Sequence, residues 1–455
     1  MQIKEKLSLA KIFIKIYIFD FMSTRVCVIG AGSSGIVACK VLKQHGLDFV
    51  CYEKGSNIGG LWRYNNDNGL SAAYKSLHIN TSKHIMAYSD FPMPAEFPDY
   101  PSHSQIIEYF ESYVGQFDIR SNIKFKTHVI RVKRDTHGKY LVETDKESDL
   151  FDAVFVCNGH HWSKRWPEFP GQFLGKEMHS HDYRTFQEFE DSRVLIVGIG
   201  NSATDIAVEL SRVAKSVTIS TRSRAYIIPK YIMGIPTDQF ALPIIFKLPL
   251  SFQRFFSKLV LRLAVGNQEK LGVPVPDRPL LSEHPTISQD LLNCAGHGKV
   301  RFKPNIHFLD NRIVHFVDDT SEEFDALIYC TGYNICFPFF DKDFLSVHDN
   351  KISLYKRVVH PDHPNLFFIG LVQPLGAVMP LAERQAEWST AILTGKIQLP
   401  EKKEILRSIE KDIQALRKRY NASPRHTIQV DFWPYKWMLE KEMKRAEFKY
   451  ASERK

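Results

Sequence analysis

The 455-residue sequence lacks several features that would indicate a particular chemistry at once. It contains seven cysteines, but no two are separated by only two residues, so neither a zinc site nor a CxxC redox pair is predicted. Several of these cysteines lie in apolar, strand-like runs, which is typical of buried thiols in a reducing compartment, and we expect a cytoplasmic protein. The formal net charge of +9, from 60 Lys and Arg against 51 Asp and Glu, is too thinly spread to predict a nucleic-acid partner.

A long uninterrupted apolar run is also missing. Residues 1–22 mix isoleucine, leucine and phenylalanine with four lysines, which makes the stretch too short and too charged for a membrane-spanning helix. It carries no small-residue cleavage site, so a secretory signal is not favoured. Because Met22 directly precedes the first predicted strand, we interpret this stretch as a non-essential extension or a misplaced start. The alternative is a peripheral membrane anchor of basic, amphipathic character.

What is present is the composition of a folded protein. Hydrophobic residues make up 44% of the chain and charged residues 24%, which excludes a disordered tail, a collagen-like rod and a disulfide mini-protein. At about 100–200 residues per domain, the length predicts two or three domains. A core large enough to enclose a cofactor is therefore expected.

The first motif is a glycine-rich turn after a predicted buried strand at residues 25–29. A predicted helix and a second strand follow the turn, and the second strand ends at Glu53. This order of elements is typical of a dinucleotide-binding unit. In such a unit Gly30 permits the tight turn, Gly32 lets the backbone approach a pyrophosphate and Gly35 lets helix and strand pack closely. Glu53 would accept hydrogen bonds from ribose hydroxyls.

The same order recurs after a predicted strand at residues 193–197. Its turn and helix start contain the candidate nucleotide contacts Gly198, Gly200, Asn201, Ser202 and Ala203. Ala203 replaces the third glycine, and the position that corresponds to Glu53 is Thr221, with Arg222 beside it. Since an arginine can pair with a ribose 2′-phosphate that a carboxylate would repel, this unit is predicted to bind NADPH rather than NADH. The alternative is that Arg222 is only a surface charge.

A shorter internal repeat connects the two units. Residues 151–159 (FDAVFVCNG) closely match residues 324–332 (FDALIYCTG), and each is predicted to be a strand that ends in a glycine turn. We infer that the second unit is inserted into the first, which places a nicotinamide next to a flavin. The predicted fold class is α/β, with two Rossmann-like dinucleotide-binding domains. The predicted boundaries are an N-terminal extension (1–22), an FAD domain in two parts (23–162 and 324–400), an inserted NADPH domain (163–323) and a C-terminal helical segment (401–455).

Between the two glycine turns, residues 173–183 (FLGKEMHSHDY) fit the fingerprint FxGxxxHxxx(F/Y). With this motif the chain resembles the flavin-containing monooxygenases over about residues 24–435. The related Baeyer–Villiger enzymes carry tryptophan where this chain has Tyr183. Further matches to the family are GGLWR at 59–63, residues 77–86, TGY at 331–333 and NLFFIGLVQPLG at 365–376.

The resemblance implies a role for each matching residue. It implies that FAD is held by Gly30, Gly32, Ser34, Gly35, Glu53, Gly60, Leu61, Trp62 and Thr81, and NADPH by Gly198, Gly200, Asn201, Ser202, Ala203 and Arg222. Asn80 matches the active-site asparagine of the family, close to both cofactors, and Gln373 is expected near the isoalloxazine edge. His179 and Tyr183 are interpreted as structural rather than catalytic. No metal site is predicted.

The activity that the resemblance implies is a monooxygenation. NADPH would reduce FAD, O2 would form a C4a-hydroperoxyflavin, and this species would oxygenate a soft nucleophile such as a tertiary amine or thioether of a small molecule. One alternative is a Baeyer–Villiger oxygenase of ketones, which Tyr183 argues against. Another is a pyridine nucleotide–disulfide reductase, which the absence of a cysteine pair argues against. A third is an NADPH oxidase or redox sensor without an organic substrate.

The segment 236–265 is apolar, is punctuated by prolines and does not align with the family. Arg254, Lys258 and Arg262 lie four residues apart on one helical face. We interpret this segment as a helix packed on its own domain, with a membrane-surface or substrate-entrance helix as the alternative. Membrane association is compatible with the sequence but not required, because residues 436–455 are charged rather than apolar. A homodimer is also compatible.

Overall fold

The computed structural model describes residues 24–240, 243–420 and 427–452, so the predicted extension at 1–22 lies outside the described residues. The strands, numbered along the chain, are β1 (Arg25–Ile29), β2 (Asp48–Tyr52), β3 (Ile123–Lys124), β4 (Val129–Arg134), β5 (Tyr140–Thr144), β6 (Ser148–Phe151), β7 (Ala153–Val156), β8 (Ser163–Lys164), β9 (Gly171–Phe173), β10 (Lys176–His179), β11 (Arg193–Val197), β12 (Ser216–Ser220), β13 (Ile227–Ile228), β14 (Tyr231–Ile232), β15 (Ile235–Pro236), β16 (Thr286–Ile287), β17 (Val300–Lys303), β18 (Ile306–Asn311), β19 (Ile313–Phe316), β20 (Ser321–Glu323), β21 (Ala326–Tyr329), β22 (Tyr333–Asn334), β23 (Val359–His360), β24 (His363–Phe368), β25 (Gln373–Leu375) and β26 (Gln429–Asp431). The α-helices are α1 (Ser33–Gln44), α2 (Lys83–Met86), α3 (His103–Gln116), α4 (Asn201–Leu210), α5 (Thr237–Phe240), α6 (Leu250–Val265), α7 (Leu291–Gly296), α8 (Met379–Leu393), α9 (Lys402–Arg419) and α10 (Phe432–Ser452).

The first sheet has the strand order β23-β24-β7-β1-β2-β3. Its strands run parallel from β24 to β3, and β23 adds an antiparallel edge. The central strands β1 and β7 are almost entirely buried, which explains why their sequences are continuous apolar runs rather than alternating patterns. Helices α1 and α8 pack against each other beside this sheet, and their apolar faces form the largest core of the molecule.

The second sheet has the strand order β10-β21-β11-β12-β17 and is parallel throughout. All of its strands lie between β7 and β23 in the chain, so the predicted insertion of one unit into the other is confirmed. The predicted boundary at residue 324 is wrong, however, because β21 belongs to the second sheet. The chain leaves this sheet only after β21, where β22 pairs antiparallel with β8 of the outgoing connection.

The boundary error has a simple physical origin in the internal repeat. The two repeated segments are corresponding strands of the two sheets: β7 pairs with β1, and β21 pairs with β11. An aspartate precedes each of these strands and accepts a hydrogen bond from the first backbone N–H of its partner strand. The distances are 2.9 Å from Arg25 N to Asp152 Oδ2 and 2.8 Å from Arg193 N to Asp325 Oδ2. The repeat therefore marks one strand in each unit rather than the exit from the first unit and the return to it.

Smaller elements complete the two domains. A meander of β4, β5 and β6 lies between β3 and β7 of the first sheet in the chain, and β20, β19, β18 and β9 form a separate four-stranded sheet. Between β12 and β17 the chain makes a long excursion that contains α5, α6, α7 and the hairpin of β14 and β15. The C-terminal segment returns to the first domain, where β26 pairs with β25 and α10 packs on α8.

Helix α6 confirms that part of the segment 236–265 is helical, but its packing differs from our interpretation. Only Gln253 and Leu261 of this helix are buried, whereas Phe255 is 68% and Leu263 is 79% exposed. The helix therefore presents an apolar face to solvent instead of covering its own domain. Across the described ranges, no helix combines the length and apolarity needed to cross a membrane.

The hydrogen bonds between Asp325 and Arg193 are predicted to stabilise the second sheet, and this prediction can be tested. Hydrogen bonds from Arg193 lower the pKa of Asp325 to about 2, compared with about 3.9 in an unfolded chain. The stabilisation is therefore complete above about pH 4 and is lost as the pH falls through the folded pKa. We expect Asp325→Asn to unfold at a lower temperature than wild type at pH 7, with a gap that narrows below pH 4.

Thermal unfolding followed by circular dichroism across this pH range measures the effect. Asp343→Asn is the matched control, because Asp343 is exposed and should leave the midpoint unchanged at each pH. A gap for Asp325→Asn that stays constant from pH 7 to pH 3 would contradict the assignment.

Candidate cofactor and active site

The first candidate site lies at the carboxyl ends of β1, β2 and β7, the edge at which open parallel sheets bind ligands. Gly30 turns the chain there with a φ of +97°, and its N–H donates to Tyr52 O at 2.9 Å. A Cβ atom on Gly30 would lie 2.9 Å from Cys157 O, and one on Gly35 would lie 1.8 Å from Gly30 O. Both positions therefore require glycine, as the motif predicts.

The start of α1 is arranged to receive an anion. Its N-cap is Gly32, which offers no side chain to the first backbone N–H groups, and the first turn contains no acidic residue. Gly60 packs so closely that its Cβ would lie 3.1 Å from Gly32 Cα, and a Cβ on Gly370 would lie 2.0 Å from Ser34 Oγ. Free N–H groups, the positive end of the helix dipole and close backbone approach fit the pyrophosphate of FAD.

Gly370 was not among the residues singled out from the sequence, although it lies within the matching segment 365–376. It lies two residues after the end of β24, whereas Gly30 directly follows β1. A glycine at the end of an apolar strand is the signal that could have identified it.

Glu53 lies where the sequence places it, but it is already engaged with the protein. It is 4% exposed, and its two carboxylate oxygens accept the backbone N–H groups of Ala31 and Gly55, each at 2.7 Å. Asn68 Nδ2 also donates to Glu53 Oε1 at 3.3 Å. Since a carboxylate can accept about four hydrogen bonds, acceptor capacity remains for a ribose hydroxyl.

The segment around Asn80 lies beside the same domain core. Ile79 is buried in the hydrophobic core that also contains Ala31 and Val372, and its N–H donates to Pro101 O at 3.0 Å. Asn80 itself is half-buried, and Thr81 is buried. The structure thus brings the predicted active-site amide to the domain that contains the first glycine turn.

The remaining candidates for flavin contacts lie on two further elements. Leu61 and Trp62 are half-buried in a 3₁₀ turn, Gly60–Trp62, that follows the close contact with Gly32. Gln373 begins β25, is half-buried, and its N–H donates to Ile428 O at 2.9 Å. Their contacts with the flavin itself stay a prediction.

The second candidate site repeats this geometry at the ends of β11 and β12. Gly198 has a φ of +120°, its N–H donates to Ser220 O at 2.8 Å, and a Cβ there would lie 2.6 Å from Cys330 O. Gly200 is the N-cap of α4, again without a side-chain cap or an acidic first turn. Asn201 Oδ1 accepts Ile287 N at 2.8 Å, and Ala203 is fully buried, so the alanine is accommodated.

Two arginines follow β12 with different environments. Arg222 is exposed and, within the described ranges, forms no ion pair. Arg224 lies 3.5 Å from Asp277 and donates to Val275 O at 3.3 Å. An exposed guanidinium without a carboxylate partner beside an uncapped helix N-terminus fits a ribose 2′-phosphate.

His179 and Tyr183 are both fully buried, and both contact the protein rather than open space. A ring nitrogen of His179, Nε2, lies 3.1 Å from Gly332 O, and Tyr183 Oη donates to Glu209 Oε2 at 2.7 Å. Burial lowers the pKa of His179 to about 4, so its imidazole is neutral at physiological pH. These contacts agree with a structural role at the connection between the domains.

Two largely parallel sheets, each with an uncapped helix N-terminus at its carboxyl edge, define an α/β protein with separate sites for two dinucleotides. The family model for flavin-binding monooxygenase-like proteins matches residues 23–444. The chain therefore belongs to the flavin-containing monooxygenase family, and it is an NADPH-dependent monooxygenase that uses FAD and NADPH.

Individual relatives support this assignment. The chain is 40% identical over 435 residues to flavin-containing monooxygenase 5 of Oryctolagus cuniculus, an alignment that covers 90% of this chain and 80% of that protein. It is 34% identical over 440 residues to dimethylaniline monooxygenase [N-oxide-forming] 2 of Mus musculus, with 91% and 81% coverage. Among solved structures, S-allyl-L-cysteine S-oxygenase from Allium sativum aligns with a TM-score of 0.70 and 27% identity, covering 92% of this chain and 88% of that one.

The close contact of Gly35 with Gly30 predicts that FAD binding at the first site requires glycine at position 35. A methyl group at Gly35 would push the turn away from α1, so Gly35→Ala should lose most of its bound FAD. Gly115→Ala is the control, because a Cβ at this position in α3 meets nothing within 4 Å and alanine is the better helix former. Flavin absorbance per mole of purified protein measures the outcome. Full FAD occupancy in Gly35→Ala would contradict the described turn.

Proposed function

We propose that this enzyme oxygenates a soft nitrogen or sulfur atom of a small molecule, such as a tertiary amine or a thioether. The observation that carries the proposal is the position of Asn80. This neutral, half-buried amide lies in a segment that the first domain holds through Ile79 N and that the second domain contacts through Lys230. It is thus presented where the two dinucleotide-binding domains meet.

When bound, FAD takes a hydride from NADPH and activates O2, which is chemistry that the side chains of this protein do not supply. The overall balance is substrate + NADPH + H⁺ + O2 → oxygenated substrate + NADP⁺ + H2O. Asn80 can donate through Nδ2 and accept through Oδ1, so it can orient the nicotinamide amide and hydrogen-bond oxygen at the flavin. Arg222 would hold the 2′-phosphate of NADPH, and the starts of α1 and α4 would hold the two pyrophosphates.

Two relatives support nitrogen and sulfur as the atoms oxidised, since their names describe N-oxide formation and S-oxygenation. Baeyer–Villiger oxidation of ketones remains the alternative substrate class. The tyrosine at position 183, where the Baeyer–Villiger enzymes carry tryptophan, favours the amine and thioether assignment.

We also propose a cytoplasmic location for the protein. All seven cysteines lie in the described residues and are free thiols, which supports a reducing compartment and hence the cytoplasm. The exposed apolar face of α6, flanked by Lys258 and Arg262, supports peripheral contact with a membrane surface, although catalysis does not require it. A homodimer remains compatible with this arrangement.

A substrate panel tests the activity directly. We expect trimethylamine and a simple thioether to accelerate NADPH oxidation, with the N-oxide or sulfoxide formed as product. Asn80→Leu should retain bound FAD but release hydrogen peroxide in place of product, because the amide that orients the nicotinamide is gone. Mass spectrometry of products and a peroxide assay report both quantities. Ester formation from a ketone without sulfoxidation would replace the proposal with the Baeyer–Villiger alternative.

Arg222→Ala tests the preference for NADPH. Loss of a charge-assisted hydrogen bond to the 2′-phosphate should raise KM for NADPH by about tenfold and leave KM for NADH nearly unchanged. Steady-state kinetics with both nucleotides measure the difference. Arg224→Ala is the control, because Arg224 is engaged with Asp277 and should leave the nucleotide preference intact. Equal increases for NADPH and NADH would contradict a phosphate-binding role of Arg222.

A further inference from the structure

The backbone on both sides of Asn80 and Thr81 is held by side chains from the second domain. Lys230 Nζ donates to the carbonyl oxygen of Ile79 at 3.3 Å. On the other side, the N–H of Ser82 donates to Asp238 Oδ2 at 2.5 Å. The two contacts therefore lie on either side of Asn80 and Thr81. Lys230 binds the carbonyl oxygen of the residue before them, and Asp238 binds the N–H of the residue after them.

Lys230 and Asp238 belong to one well-defined piece of the excursion between β12 and β17. They flank the hairpin of β14 and β15, and Thr237 closes the hairpin because its N–H donates to Lys230 O at 2.9 Å. Thr237 Oγ1 also donates to Pro229 O at 2.6 Å. The spacing between the two side chains is therefore set by the hairpin rather than by a flexible loop.

The hairpin is itself anchored to the first domain at a second place. Tyr100 Oη donates to Lys230 O at 2.5 Å, and the Lys230 ammonium lies 4.9 Å from the centre of the Tyr100 ring. Tyr231 Oη donates to Asp99 Oδ2 at 3.2 Å. The contact of Tyr231 with Asp99 therefore joins the hairpin to the first domain without involving the residues next to Asn80.

Burial gives these contacts an energetic consequence. Ser82 is fully buried, so its N–H has no access to water if the carboxylate is removed. Burial also raises the pKa of Asp238 and lowers the pKa of Lys230, which indicates that both groups are withdrawn from solvent. An interaction of this kind is stronger than one on the open surface, because water screens it less.

We propose that Asp238 and Lys230 are positioning residues for Asn80, which fix its backbone relative to the NADPH-binding domain through Ser82 N and Ile79 O. The amide is then correctly placed only while the hairpin of the second domain is docked. This inference rests on the proposed function of Asn80. Without the contacts, reducing equivalents are lost as NADPH + H⁺ + O2 → NADP⁺ + H2O2 instead of reaching the substrate.

The test compares variants of the full-length, FAD-loaded enzyme. Asp238→Ala removes the acceptor and should lower the ratio of oxygenated product to NADPH consumed by about fivefold, the effect of losing one hydrogen bond, with a matching rise in peroxide. Asp238→Asn keeps an oxygen that accepts Ser82 N and should restore the ratio. Lys230→Met should lower it, whereas Lys230→Arg should keep the donor and restore it.

Tyr231→Phe is the matched control, because it removes a hydrogen bond between the same hairpin and the first domain, at Asp99, but none next to Asn80. Its coupling ratio should equal that of wild type, and flavin content and absorbance should be unchanged in every variant. An unchanged ratio in Asp238→Ala, or an equal loss in Tyr231→Phe, would overturn the proposal. A wild-type enzyme that forms no N-oxide or sulfoxide would instead contradict the proposed function, so the two failures are distinguishable.

Discussion

The structure depends on a close contact that is made twice, between a glycine turn and the strand beside it. At Gly30 and at Gly198 the backbone approaches the carbonyl oxygen of Cys157 or Cys330 so closely that no side chain fits between them. This contact fixes where α1 and α4 begin relative to their sheets. Because both helices begin without a cap, the same geometry leaves their first N–H groups free for phosphate. Fold and cofactor chemistry thus follow from one steric constraint.

The contacts between the two domains are the second constraint on the candidate active site. The outgoing and returning connections pair as β8 and β22, which holds the second domain beside the first. The hairpin before α5 adds a second link, through Lys230 and Asp238, next to Asn80. A monooxygenase must deliver electrons from NADPH to O2 and substrate without releasing peroxide. The proposed positioning of Asn80 by both domains would meet this requirement.

Much of the fold could be predicted because its signals are local. The strands at 25–29 and 193–197 begin and end where the apolar runs predict, since each is buried in a parallel sheet. The boundary at residue 324 was wrong because a repeated motif does not reveal its pairing partner. Which strand β21 joins depends on contacts with β10 and β11, more than 100 residues earlier in the chain.

The sequence by itself determined the two dinucleotide-binding units and the residues of their turns. These features depend on residues within one strand–turn–helix unit, where spacing and side-chain type are sufficient. Only the tertiary structure decided that Gly370 approaches Ser34, that the apolar face of α6 is exposed and that Asp238 reaches Ser82. Each of these depends on how distant segments pack against one another, and local sequence patterns do not encode such packing.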